Sequence, residues 1–267
     1  MRYFVIFIVS LLSFQINAQE LFVMTEPASN MPTGSIGIRN MSLFSFRETG
    51  GYNYHNMPEL MWGVNKNLMI HTSAFLSTKE GNLNFEGGSL YAKYRVFSVD
   101  DLHSHFRLAV FGRISTNNST INQEDIETMC MNSGYELGTV ATKLINKTAL
   151  SASVSYERAL NNQDNIFPEA FSNSAMNYTF SIGQLMYPKK YTNFKQTNIN
   201  GMIELLGQRL NQNGKSYLDV VPSIQFILNS QARIDVGYRH QIYSDMNRIG
   251  NNSFLFKLEY TFFNVTN

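Results

Sequence analysis

The chain has 267 residues, a formal net charge of +1, only 15% charged residues and a single cysteine. Such a weak charge gives no electrostatic reason to engage nucleic acid or another polyanion, and Cys130 alone cannot form an intrachain disulfide. No window beyond the N-terminus holds the roughly 18 apolar residues that a membrane-spanning helix needs.

At the N-terminus, Arg2 precedes an apolar run from Tyr3 to Leu12, and Ile16-Asn17-Ala18 stands before Gln19. This layout is that of a secretory signal peptide over 1–18, cleaved on export. Its removal leaves about 249 residues, enough for one large domain or two smaller ones. Residues 19–33 are expected as a short periplasmic segment. Evenly spaced hairpins then favour a single unit over 34–263, with 264–267 as a tail.

Alternating apolar and polar side chains predict twelve strands, over 34–46, 56–64, 67–77, 87–97, 105–115, 134–145, 148–159, 175–186, 196–207, 217–228, 232–243 and 252–263. The pattern is clearest near the C-terminus. There Leu218, Val220, Ile224 and Phe226, then Ile234, Val236 and Tyr238, then Phe254, Phe256, Leu258, Tyr260 and Phe262 occupy alternate positions between polar ones. Tight connections at Asn65-Lys66-Asn67, Asn146-Lys147 and Asn229-Ser230-Gln231 contrast with long, Asn- and Ser-rich segments over 116–133 and 160–174. Short turns on one side and long loops on the other are the habit of bacterial outer-membrane barrels. Soluble barrels and sandwiches share the alternation but direct the greasy face into a core. Strand length, loop asymmetry and the aromatic final strand, of the kind read by barrel-assembly machinery, favour the membrane. The expected fold is therefore all-β, an antiparallel up-and-down transmembrane β-barrel in a Gram-negative outer membrane, with its apolar face against lipid.

On this phase, Glu59, His71, Lys93, Arg95, Arg107, Arg113, Lys143, Glu157, Glu204, Asp219, Arg233, Asp235, Arg239, Lys257 and Glu259 point into the lumen. Trp62, Tyr94, Tyr156, Tyr178, Tyr187, Tyr238 and Tyr260 fall on or near strand ends, where amphipathic rings favour the headgroup level. The first strand is the least regular, because Asn40 and Ser42 interrupt its apolar face.

Trp62-Gly63-Val64-Asn65-Lys66-Asn67-Leu68, followed by Gly88-Ser89-Leu90-Tyr91-Ala92-Lys93-Tyr94-Arg95, resembles a hairpin signature of outer-membrane transporters of the phenol-degradation meta-pathway type. Trp62, Asn65 and Ser89 stand where that family usually has Tyr, Thr and Asp. The resemblance implies a channel or transporter for small, often apolar molecules, and brings no site residues with it.

Inward charges of both signs allow two readings. They can pair across the lumen and fill it, since a lone buried charge is costly. Alternatively, the excess of basic over acidic groups among them can favour anionic or polar solutes. His71-Thr72-Ser73 sets a histidine and a serine on one strand face, an arrangement similar to that of an outer-membrane phospholipase. Met129-Cys130-Met131 offers soft ligands for Cu(I) or a short apolar stretch packed under a loop, the latter preferred. Asp100-Asp101-Leu102-His103-Ser104-His105 reads as a divalent-metal cluster or a solvated turn. No motif calls for a cofactor. The functional expectation is a channel for a small-molecule solute of unknown identity. The alternative is a closed barrel acting in surface binding or as a structural protein, with a lipid hydrolase a distant third.

Overall fold

In a computed structural model, residues 22–47, 50–101, 104–188 and 195–266 are described. They build twelve antiparallel strands: β1 (Ile36–Phe46), β2 (Tyr52–Gly63), β3 (Leu68–Ser77), β4 (Asn84–Asp101), β5 (Ser104–Asn117), β6 (Gly134–Ile145), β7 (Thr148–Ala159), β8 (Ser174–Tyr187), β9 (Asn198–Leu210), β10 (Ser216–Leu228), β11 (Ala232–Ser244) and β12 (Asn252–Phe262). Each strand pairs with its sequence neighbours, and β1 also pairs with β12 from Ile36↔Phe262 to Phe46↔Asn252. The sheet thereby closes into a barrel, which leaves no edge of unpaired backbone groups to face lipid.

The expected all-β, up-and-down barrel is the observed fold. Several strands are longer than the alternation indicated, β4 most of all. β2 begins at Tyr52, where it meets Phe46, and β4 runs on beside β5 as far as Asp101↔Ser104. The tight turns have local causes. The Asn65 side chain accepts hydrogen bonds from the Asn67 and Leu68 N–H groups at 2.8 and 2.9 Å. Asn229 and Ser230 both adopt positive φ, 52° and 56°, the backbone of a type I′ hairpin whose twist matches the flanking strands.

Apolar side chains such as Leu60, Ile114, Leu137, Ile203, Phe254 and Leu258 are exposed on the outer wall, while His71, Lys93, Glu204, Asp219 and Asp235 are buried within. This inverts the soluble pattern. One strand departs from the expected phase, and the irregular first strand keeps it. In β6, Val140, Thr142 and Leu144 are buried, so Lys143 lies on the outward face, not the lumenal one. One charge stands in each phase of that strand, and the inward one is Glu136. In β1, Met41, Leu43 and Ser45 turn inward with Arg39, leaving Asn40 and Ser42 outside. There Ser42 Oγ lies 3.1 Å from Tyr54 OH and accepts from Asn56 Nδ2 at 3.2 Å.

Eight strands enclose a space that wall side chains can fill, and sixteen leave an aqueous channel. Twelve leave an intermediate gap, and this chain supplies two segments to fill it. Residues 22–31 pass along the interior, although the sequence suggested a periplasmic position for them; Phe22, Val23 and Ala28 are buried. Residues 118–133 fold inward from the opposite end, burying Ile126, Cys130 and Met131. The signal peptide expected over 1–18 lies outside the described residues.

Candidate functional site

The N-terminal strap is held to the wall by charge-assisted hydrogen bonds. Glu204 of β9 accepts from the N–H groups of Val23, Met24 and Thr25 at 2.9, 3.0 and 2.8 Å, and from Thr25 Oγ1 at 2.8 Å. On β12, Lys257 Nζ donates to Val23 O at 2.8 Å, and on β4, Lys93 Nζ donates to Pro27 O and Ser29 O at 2.5 and 2.9 Å. The Ala28 N–H donates to Thr142 Oγ1 of β6 at 2.9 Å, and Arg39 of β1 meets Glu26 at 2.6 Å. Five strands around the barrel therefore grip one short segment. It has no regular structure of its own, so these bonds satisfy backbone groups that would otherwise be orphaned in the interior.

The inward loop is fixed in the same way. Thr128 N–H donates to Glu157 Oε1 at 2.6 Å, and Gln208 exchanges two hydrogen bonds with the Ile126 backbone at 2.9 and 2.7 Å. Asn117 and Asn162 donate to the carbonyls of Cys130 and Met131, each at 2.9 Å. Cys130 packs in an apolar cluster with Phe22, Met57, Phe75 and Met131. Burial pushes its thiol well above the ordinary range, which keeps it protonated and suits packing better than soft-metal ligation.

Between strap and loop lies a cavity of roughly 200 Å³. Its wall includes Glu26, Arg39, Glu59, His71, Tyr91, Arg113, Glu136, Glu157, Tyr217 and Arg239. The charges are mostly paired. Arg39 binds Glu26, Glu59 and Glu259 at 2.6, 3.2 and 2.8 Å, and Arg113 faces Glu136 at 3.5 Å while stacking over Tyr91. Arg239 and Arg248 share Asp219 at 2.6 and 2.7 Å, and Tyr217 lies beneath both guanidiniums.

The other residues expected in the lumen also face inward. Lys257 meets Asp235 at 3.2 Å, Arg233 meets Glu259, and Arg107 meets Asp100 at 3.0 Å near the β4–β5 turn. Arg95 donates to Lys66 O at 2.5 Å at the same end of the barrel. Lys143 is the exception. His71 and Ser73 share a face but not a bond: His71 Nδ1 lies 2.6 Å from Glu59, and Ser73 Oγ 2.7 Å from Ser89 Oγ, so no base addresses the serine. Asp100 is engaged by Arg107, His105 and Ser98, and His103 lies outside the described residues. The aromatics Trp62, Tyr94, Tyr156, Tyr178, Tyr187, Tyr238 and Tyr260 all sit on the outward face. Sequence reasoning missed Arg39, Glu136, Tyr91 and Tyr217 of the wall, and Glu26 and Glu127 of the two infilling segments.

No protein-family model and no curated protein matches the sequence. Among solved structures the barrel is similar to an outer-membrane channel from Pseudomonas putida F1, with a TM-score of 0.58 at 10% identity over 90% of this chain and 100% of that one. The two share a fold. The NanC porin (TM-score 0.49, 8% identity, 84% of this chain and 98% of that one) and the KdgM porin (0.48, 11%, 85% and 99%) resemble it less closely.

Proposed function

We propose that this protein is an outer-membrane channel for small solutes whose lumen is closed, in the state described, by its own N-terminal strap. The observation that carries this reading is the manner of closure. Residues 22–29 are attached to the wall chiefly through hydrogen bonds and ion pairs at Glu204, Lys257, Lys93, Thr142 and Arg39. Such polar contacts can be replaced by contacts with water once the lumen is wet, whereas the twelve-stranded wall is a single closed ladder. Strap release opens a lumen that the wall side chains of a twelve-stranded barrel do not fill.

A greasy outer wall, the outward tyrosines and Trp62, and the aromatic β12 support placement in an outer membrane after export, assembly by the barrel machinery and contact with its lipid. The hairpin over Trp62–Leu68 and the Lys93-Tyr94-Arg95 segment support kinship with phenol-degradation meta-pathway transporters, hence solutes that include apolar or aromatic ones. Liposome swelling tests the reading. Wild-type vesicles should admit small solutes slowly, and Glu204→Ala, which strips the strap of its main acceptor, should raise the rate several-fold.

The closed-barrel alternative draws on one observation, the apolar cluster of Phe22, Val23, Met41, Met57, Cys130 and Met131 within the lumen. Vesicles that remain impermeable with both wild type and Glu204→Ala would establish that alternative.

A further inference from the structure

The loop between β7 and β8 borders a second cleft, of about 520 Å³, at the long-loop end of the barrel, a volume in the range of small-molecule sites. This loop is irregular but firmly built. Asn162, fully buried, donates from Nδ2 to Ser119 O and Met131 O, each at 2.9 Å, and accepts at Oδ1 from the Ser133 N–H at 2.7 Å. Its main chain exchanges hydrogen bonds with that of Asn165 at 2.9 Å. Farther on, Ser172 Oγ donates to Ser174 O at 2.9 Å and accepts from the Gln212 N–H at 3.2 Å, which ties the β9–β10 turn to the same rim. Phe167 packs on the apolar cluster that includes Ile126, Leu210 and Met246.

The cleft offers chemistry that the fold does not use. Arg158 and Glu169 both stand on its wall, and among the described residues neither makes a hydrogen bond or an ion pair, with the other or elsewhere. One charge of each sign is thus held apart within one cleft. Beside them, Asn161 uses its Oδ1 on the Phe167 N–H at 2.9 Å, and Asn173 its Oδ1 on Gln212 Nε2 at 3.3 Å. Both Nδ2 groups are left as donors and Gln212 Oε1 as an acceptor. Phe167 is committed to the cluster beneath it, so the half-buried Phe171 is the lining ring available to stack.

A charge sum of zero disfavours a lone phosphate or a lone amine. Free donors beside free acceptors match hydroxyls, each of which does both, and a guanidinium or a carboxylate can engage two adjacent ones at once. An aromatic face, negative at its centre, attracts polarised C–H bonds. A compact ligand with a hydroxylated edge and an apolar C–H face is a pyranose.

We infer that this cleft binds a sugar ring of a neutral saccharide segment, with Phe171 stacked on its C–H face and Arg158 and Glu169 on its hydroxyls. Arg158 shares the outward face of β7 with Tyr156, so on the placement proposed above the cleft opens just beyond the outward tyrosines, at the height of the headgroups. Two sources of sugar reach that height, the glycan of an outer-leaflet lipid and a free saccharide. The site does not depend on the channel, because it is filled from the rim whether or not the strap leaves the lumen.

Calorimetric titration of cellobiose, maltose, lactose and diacetylchitobiose into the detergent-folded barrel tests the site, with glycerol as a polyol that lacks a ring face. At least one disaccharide should bind saturably and glycerol should not. Phe171→Ala and Glu169→Gln should each weaken that binding roughly fivefold, with unchanged heat-modifiable migration. Failure of every disaccharide to bind, glycerol binding as tightly, or either variant matching wild type would overturn the inference. Phosphatidylcholine vesicles with and without lipopolysaccharide separate the sources: disaccharide binding lost when lipopolysaccharide is present assigns the site to the lipid glycan, and binding unchanged assigns it to a free saccharide. A barrel that binds disaccharide but admits no solute to liposomes upholds the site and refutes the channel. One that admits solute but binds no disaccharide refutes the site alone.

Discussion

Arg39 shows how much one buried side chain can organise. Its guanidinium joins the strap through Glu26, β2 through Glu59 and β12 through Glu259, so it fastens the seam where the first and last strands close. Removing one partner of a buried ionic cluster costs about 3–5 kcal/mol, because the remaining charges are left uncompensated. Arg39→Met should therefore lower the urea midpoint of the folded barrel markedly, as read by the loss of heat-modifiable migration, whereas a change within about 0.5 kcal/mol of wild type would show that the cluster contributes little. Arg39→Lys should not restore stability, since an ammonium cannot serve three carboxylates in a planar fork. This residue was hidden in the sequence for a physical reason. The inward face of β1 carries Met41 and Leu43 and its outward face Asn40 and Ser42, so alternation there says nothing about direction. Lys143 misled in the same way: β6 has one charge in each phase, and a long cationic side chain near a strand end can reach the headgroups from the lipid side.

At the level of elements, the twelve strands were legible because each repeats its pattern for ten residues or more, while the two infilling segments were not. Phe22-Val23-Met24 and Met129-Cys130-Met131 are apolar, but they are too short to show a period and lie in stretches that read as linker and loop. The inward loop is anchored at its outer end by Glu124, which accepts from Lys215 Nζ at 2.6 Å and Asn247 N–H at 2.7 Å. Burial alone would raise this carboxyl, but those donors outweigh it and hold the group below its ordinary 4.5. A depressed folded value means that the anchor is fully present above pH 4.5 and is lost as the pH falls through the folded value. Protection of the Ile126 and Asn247 amides, relative to the intrinsic exchange rate at each pH, should accordingly fall below pH 4.5, and in Glu124→Gln it should already be lost at neutral pH. Protection unchanged by either would show that this anchor does not hold the loop. The β6–β7 junction makes a steric prediction as well. Gly134 has φ +151°, and a Cβ there would lie 2.0 Å from Arg158 O, so Gly134→Ala must break the outer end of that ladder and should lower stability by more than about 1 kcal/mol. Unaltered stability would mean that the backbone can give way at this point.

For the molecule as a whole, closure of β1 on β12 and the greasy outer wall follow from patterns visible in the chain, and so does the charged interior. What the chain did not disclose is how that interior is occupied. Strand periodicity reports which way a side chain points but carries no information about distance across a lumen, so neither the strap nor the cavity between strap and loop could be read from it. On the function proposed above, that missing part decides the outcome, because the same wall would serve as a conduit or a sealed plug according to whether residues 22–33 stay in place. Single-channel recording of wild type beside a variant lacking 22–33, each verified as folded by heat-modifiable migration, addresses this most directly. The account predicts small or rare openings for wild type and a steady, several-fold larger conductance for the shortened barrel. A folded variant as electrically silent as its parent would contradict it.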